Sequence, residues 1–156
     1  MNVTILTVGS PSRLLQPAIR EYEERAGRYW KLETTAVDAE KASKNRPVED
    51  VMGAEAERLR TAVPDGTEVL ALTRKGKGFT SAGLAKYLNR LAVRGAAGAT
   101  FVIGGAYGLD PAFLAEAGRR LTLSTMTLPH DMARLVLTEQ LYRAGTIVRG
   151  EPYHKG

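Results

Sequence analysis

Thr100-Phe101-Val102-Ile103-Gly104-Gly105-Ala106-Tyr107-Gly108 is the stretch that decides the fold class. Its first four residues form an apolar run with no polar alternation. That is the signature of a strand covered on both faces, as at the centre of a parallel sheet. Glycines follow at once, allowing positive φ and close approach of a ligand to the backbone. Asp110-Pro111 comes next, a capping residue and then a proline suited to the first helical position. Strand, Gly-rich turn and helix in this order predict a ligand site beyond the carboxyl end of a strand. A tight strand-to-helix turn without a ligand is the plainer reading. The spacing is neither G-x-G-x-x-G nor the phosphate-binding G-x-x-x-x-G-K-[ST].

Outward from this stretch the same alternation repeats. Val3 to Val8 predicts a strand, and Ser10-Pro11 predicts the start of a helix carrying Leu15, Ala18, Ile19, Tyr22, Ala26 and Tyr29 at helical spacing. Lys31 to Val37 predicts a second strand and Asp38 to Arg46 a mobile polar loop. Pro47 opens a helix with Met52, Ala56, Leu59 and Val63 on one face. Pro64-Asp65-Gly66 is a turn, and Glu68 to Thr73 predicts a third strand. Arg74-Lys75-Gly76-Lys77-Gly78 reads as a basic flexible loop, either a solvated face or a phosphate contact. A helix is expected from Ser81 to Val93, a last strand over Leu121 to Ser124, and a helix from Asp131 to Ala144. Alternating strands and helices predict one α/β domain over residues 1–156, a mostly parallel sheet with flanking helices.

Composition narrows the function. The chain has 156 residues, 44% hydrophobic and 25% charged, with a formal net charge of +5. A positive field favours polyanions, nucleic acid first. The absence of cysteine removes disulfides, thiolate nucleophiles and cysteine metal sites. Two distant histidines are poor grounds for a metal site. No apolar run has the roughly 18 residues of a membrane span, and the N-terminal apolar stretch is too short for a signal peptide. A cytoplasmic protein with no metal and no membrane partner is expected.

Three further segments carry chemistry. Ser124-Thr125-Met126-Thr127-Leu128-Pro129 lies between a strand and a helix, too polar for core and too apolar for ordinary surface. Its backbone groups suit the edge of an adenine, with Met126 and Leu128 on the ring faces; the alternative is a simple connection. The helix after it is apolar nearly all round, which predicts a homodimer interface or deep burial. Within it, Arg143 follows Glu139 at i,i+4, read either as an ion pair or as a cation aimed at an anionic substrate. In the terminal Arg149-Gly150-Glu151-Pro152-Tyr153-His154-Lys155, Arg149 and Lys155 suit phosphate and Tyr153 suits stacking on a base. A frayed basic end is the alternative.

Together these segments resemble the ribosomal RNA large subunit methyltransferase H family of the SPOUT superfamily. The resemblance runs the full length. It is carried most specifically by Leu128-Pro129-His130, Glu139-Gln140-Leu141-Tyr142-Arg143-Ala144 and Pro152-Tyr153-His154-Lys155 in that order at the end of the chain. It implies an α/β fold with a deep C-terminal trefoil knot, a homodimer and S-adenosylmethionine as cofactor. It further implies methylation at N3 of a pseudouridine in the helix 69 hairpin of 23S rRNA, on the assembled ribosome. By the same resemblance Leu72, Gly105 and Ser124 through Pro129 line the cofactor pocket. Arg143, Tyr153 and His154 fall at the family's conserved polar C-terminal positions. His154 is then a candidate general base for the imide proton, Arg143 a candidate anion stabiliser, and Tyr153 a stacking residue that competes with His154 for the proton. His130 is expected to fix the cofactor loop. A nicotinamide-dependent enzyme and a catalytically silent RNA-binding module are the alternatives.

Overall fold

Period-two alternation sorts the strand residues onto two faces of one sheet, and a different set of helices covers each face. The computed structural model describes residues 1–155. Strands β1 (Asn2–Val8), β2 (Lys31–Val37), β3 (Glu68–Gly78), β4 (Gly98–Ile103) and β5 (Arg119–Thr122) alternate with helices α1 (Gln16–Ala26), α2 (Val48–Ala62), α3 (Ser81–Val93), α4 (Pro111–Glu116) and α5 (His130–Val148). The sheet is parallel throughout, in the order β2-β1-β4-β3-β5. A single 3-10 turn, Pro152–His154, ends the described chain.

On one face Val3, Ile5, Leu70, Phe101 and Leu121 pack against α3 and α5, with Ala26 of α1 and Trp30 just after it. On the other Leu6, Val8, Ala71 and Val102 meet Ala56 and Leu59 of α2 and Phe113 of α4. β4 is buried along its whole length, as its unbroken apolar run requires. α5 lies between α1 and α3 and buries Leu137, Leu141 and Ala144. The indole N–H of Trp30 donates to the Leu141 carbonyl at 2.8 Å, which fixes the helix along its length.

The structure moves several expected boundaries. α1 begins at Gln16, with Pro17 in its first turn, and not at Pro11. Residues Ser10 to Leu15 instead run as a turn toward α5, where the Ser12 N–H donates to the Asp131 carboxylate. Asp38 to Arg46 is tied down: Glu40 pairs with Arg46 and Arg58, and its N–H donates to Glu55. The middle and C-terminal part of α5 pack inward, from Leu137 to Thr146, so its apolar surface is partly spent within the chain. β5 sits two residues earlier than expected.

The largest correction is at Arg74 to Gly78. This is the second half of β3, and its register against β5 shifts between Leu72 and Lys77 so that Leu121 faces both. Gly76 makes that passage possible. A Cβ there would stand 2.6–2.7 Å from backbone atoms of Arg120 and Leu121. Gly76→Ala should therefore cost about 1–3 kcal/mol by overpacking against backbone. Gly53, inside α2 with nothing within 4 Å of such a Cβ, should be stabilised or unchanged by the same substitution. Urea unfolding of the two variants checks this, and equal stabilities would show that the crossing at Gly76 has slack.

Candidate functional site

The middle of β3 and the carboxyl ends of β4 and β5 converge on a cavity of about 390 Å³, within the range of small-ligand sites. β3 contributes Leu72, Thr73 and Arg74; β4 leads into Ile103 to Leu109; β5 leads into Thr122 to Ser124; and the loop before α5 adds Met126, Thr127 and Leu128. His130 and Ala133, on the first turn of α5, close it.

The Gly-rich loop is a hydrogen-bonded turn. The Gly108 N–H donates to the Gly105 carbonyl at 3.0 Å with Gly108 at φ +82°. A Cβ on Gly104 would lie 2.7 Å from the Gly108 carbonyl carbon, so the turn closes only on glycine. Behind Gly105 lies the buried carboxylate of Glu55, 2.9 Å from where a Cβ would project. In the second loop the Ser124 hydroxyl accepts from the Met126 N–H at 3.0 Å, and the Ser124 carbonyl accepts from Thr122 at 2.7 Å. Among the described residues, the backbone groups of Thr127 and Leu128 have no hydrogen-bond partner within the chain. They remain available to a ligand, as backbone polar groups beside a cavity must be if they are not paired internally.

The tail forms a second cluster at the other end of α5. Tyr153 packs on Tyr142 with ring centroids 4.5 Å apart, and its hydroxyl donates to Glu139 at 3.1 Å. Arg143 donates to the same carboxylate oxygen through Nε at 3.0 Å and Nη2 at 2.6 Å, with its guanidinium 4.9 Å from the Tyr153 ring centre. The i,i+4 ion pair is thus formed, and Arg143 is held as part of a Glu139–Arg143–Tyr153 group. Burial, then the bond to Glu139, pushes the Tyr153 phenol up to about 12. Tyr29 donates to Glu151 and packs against Gly145, where a Cβ would meet its ring at 2.4 Å. Arg149 lies 4.5 Å over the Tyr29 ring and donates to the Arg28 carbonyl at 3.0 Å. The tail is therefore docked on α5 and on Arg28 and Tyr29 just after α1, with Lys155 exposed. His154 is half-buried, and its Nδ1 is buried without a hydrogen-bond partner.

Of the residues singled out in the sequence, Leu72, Gly105, Ser124, Met126, Thr127 and Leu128 line the cavity. Thr125 and Pro129 belong to the same loop but do not line it; the Pro129 carbonyl accepts from Ala133 at the start of α5. Arg143, Tyr153 and His154 come together, away from the cavity of their own chain. Sequence reasoning missed Thr73, Thr122 and Leu123 as lining residues and read Arg74 as a solvated cation or a phosphate contact, not as part of a cavity wall. Their signal was position: Thr73 ends the apolar half of β3, Thr122 ends β5 and Leu123 follows it, at the edge where ligands sit. Among the described residues no helix is long and apolar enough to cross a membrane, and no three His, Asp or Glu side chains are grouped to hold a metal ion.

Comparison with known proteins agrees with this architecture. The sequence model described as "Predicted SPOUT methyltransferase" matches residues 1–154. A Gemmatimonas aurantiaca protein named ribosomal RNA large subunit methyltransferase H is 46% identical over 156 residues, covering 99% of this chain and all of its own. A Clostridioides difficile protein of the same name is 42% identical over 159 residues with the same coverage. In fold, the chain is similar to the crystal structure of a methylase family protein from Neisseria gonorrhoeae, with TM-score 0.56 and 20% identity over 90% of this chain and 81% of that one. It is similar also to a methyltransferase structure from Bordetella pertussis, with TM-score 0.57 and 20% identity over 92% and 96%. The chain belongs to the SPOUT methyltransferase family, together with the relatives named ribosomal RNA large subunit methyltransferase H.

Proposed function

We propose that this protein is an S-adenosylmethionine-dependent methyltransferase of ribosomal RNA. Its acceptor is N3 of a pseudouridine in the helix 69 hairpin of 23S rRNA on the assembled ribosome, and it works as a cytoplasmic homodimer in a trefoil-knotted SPOUT fold. The observation that carries this reading is the pair of clusters on α5: a cavity at its N-terminal end and a polar, partly unsatisfied tail at its C-terminal end. The names of the full-length relatives support the substrate class.

The cavity suits the cofactor. It has the volume of a small-ligand site, glycine backbone on one wall, and unpaired backbone groups at Thr127 and Leu128 beside apolar Leu72 and Leu128 side chains. Leu72, Gly105 and the Ser124–Leu128 loop would hold the nucleoside. When bound, S-adenosylmethionine supplies a methyl carried on a sulfonium, ready for in-line displacement. The protein's part is then alignment and proton handling. The acceptor imide must lose its proton, and His154 takes it as general base. Arg143, oriented by Glu139 through two of its nitrogens, stabilises the developing imide anion. Tyr153 is a neutral phenol at working pH, so it positions the tail and does not act as the base. Arg149 and Lys155 contact RNA phosphate.

Ala133 and Arg143 are about 15 Å apart along α5 at a rise of 1.5 Å per residue. One chain's tail is therefore remote from its own cavity, which supports a site completed by the second copy.

Four outcomes follow. His154→Ala should leave calorimetric affinity for S-adenosylmethionine near wild type while tritiated methyl transfer to ribosomes falls about 10²–10⁴-fold; near-normal transfer would remove His154 from the chemistry. Verified heterodimers pairing a Gly105→Val chain with a His154→Ala chain should recover transfer that neither homodimer shows, and no recovery would place cavity and tail in one chain. Tyr153→Phe should keep most of its transfer rate with an unchanged pH profile around neutrality. For the wild type the sign is fixed by the raised phenol: tail docking through Tyr153 is complete below about 10 and is lost as pH rises through about 12. The difference in tyrosinate absorbance between the wild type and Tyr153→Phe, followed against pH, isolates this group, and a difference titrating at the ordinary tyrosine value would contradict a docked tail.

A further inference from the structure

From Val69 to Leu109 the chain contains no aspartate or glutamate. The same run contains Arg74, Lys75, Lys77, Lys86, Arg90 and Arg94. Those positive charges exceed the formal net charge of +5 for the whole protein, so the remainder is close to neutral. The fold places them in a line. Arg74, Lys75 and Lys77 sit on the outer half of β3, exposed, with Arg74 on the cavity rim. The chain then enters α3, where Lys86, Arg90 and Arg94 follow at four-residue spacing, each exposed. That spacing puts a cation about every 6 Å along one face.

Such a row is unfavourable by itself, because like charges at i,i+4 repel. Arg90 and Arg94 gain from the carboxyl end of the helix dipole, but Lys86 and the β3 cations do not. Among the described residues the single ion pair made by the row is Arg94 with Glu68, at 3.6 Å; Lys86, Arg90, Arg74, Lys75 and Lys77 make none. The row ends at a recess of about 360 Å³ bounded by Glu68, Arg90, Arg94 and Arg119, where Arg119 lies 4.8 Å over Tyr87. Uncompensated cations in a continuous track complement a polyanion running the same way.

We propose that the acid-free run Val69–Leu109 is the docking face for the RNA phosphate backbone, extending from the cavity rim at Arg74, Lys75 and Lys77 along α3 through Lys86, Arg90 and Arg94. This deepens the rRNA reading above and rests on it for the identity of the polyanion. The face is distinct from the tail, and it sets the direction in which the RNA leaves the methylation site.

The test compares the full-length wild type with Lys86→Gln/Arg90→Gln/Arg94→Gln. Glutamine keeps the helix propensity, and none of the three residues lines the cofactor cavity. A control removes the same charge at the exposed Lys31, Lys41 and Lys44. Binding to large ribosomal subunits is measured across a salt series, with S-adenosylmethionine affinity measured in parallel. The α3 variant should lose about tenfold or more in affinity, and its salt slope should shrink by about 2, as expected on losing three phosphate contacts. Its cofactor affinity should stay at the wild-type value, and the control should bind RNA nearly as the wild type does. Unchanged affinity and slope in the α3 variant would overturn the track, as would an equal loss in the control, which would assign binding to net charge alone. Wild-type binding to subunits without any methyl transfer would instead sink the proposed reaction while leaving the track measurable.

Discussion

Helix α5 is clamped along its length, by Leu137, Leu141 and Ala144 against the sheet and by the Trp30 hydrogen bond to the Leu141 carbonyl. The cavity and the tail cluster are both referred to that rod. Its first turn closes the cavity through His130 and Ala133, and its last turns carry Glu139, Arg143 and the docking surface for the tail. Because a packed interior tolerates little displacement, the distance between cavity and tail cluster is fixed by the length of one helix. The tail itself is ordered by aromatic stacking on Tyr142 and by two carboxylates, Glu139 and Glu151, each receiving a tyrosine hydroxyl. A segment of charged and aromatic residues that would fray in isolation is thereby held in one geometry.

Much of this was legible in the residues. The apolar run Thr100 to Ile103 identified the central strand, Asp110-Pro111 identified a capped helix, and Ser81 to Val93 has the bounds its periodicity predicted. The failures have physical causes. Ser10-Pro11 is permitted at a helix start but does not compel one, and Pro17 fills the same role nearer the helix. Arg74 to Gly78 looks like a loop because glycine and lysine are poor strand formers. Here Gly76 is required by a backbone passing within contact distance, a fact local sequence cannot carry.

The site divides in the same way. The Ser124–Leu128 loop could be read as a ligand loop because its composition fits neither core nor surface, and most of its residues line the cavity. The i,i+4 spacing of Glu139 and Arg143 foretold their ion pair, but not that Tyr153 would join it from the tail. The separation between tail and cavity was invisible, since it depends on where a helix of 19 residues begins and ends in space. The apolar surface of α5 illustrates the limit of composition. Part of what suggested a second copy is spent on α1, α3 and the sheet within one chain.

The pairing of β1 has a consequence in time. β1 is buried from Val3 to Val8, yet one of its two neighbours, β4, enters the register only with Asn2 opposite Gly98. At a synthesis rate of about 5–20 residues per second, the most apolar strand of the amino-terminal half waits roughly 5–20 s with one edge unpaired. A strand made long before its partner is thus late to complete its hydrogen bonds, and its protection in that interval falls to β2, α1 and whatever holds nascent chains.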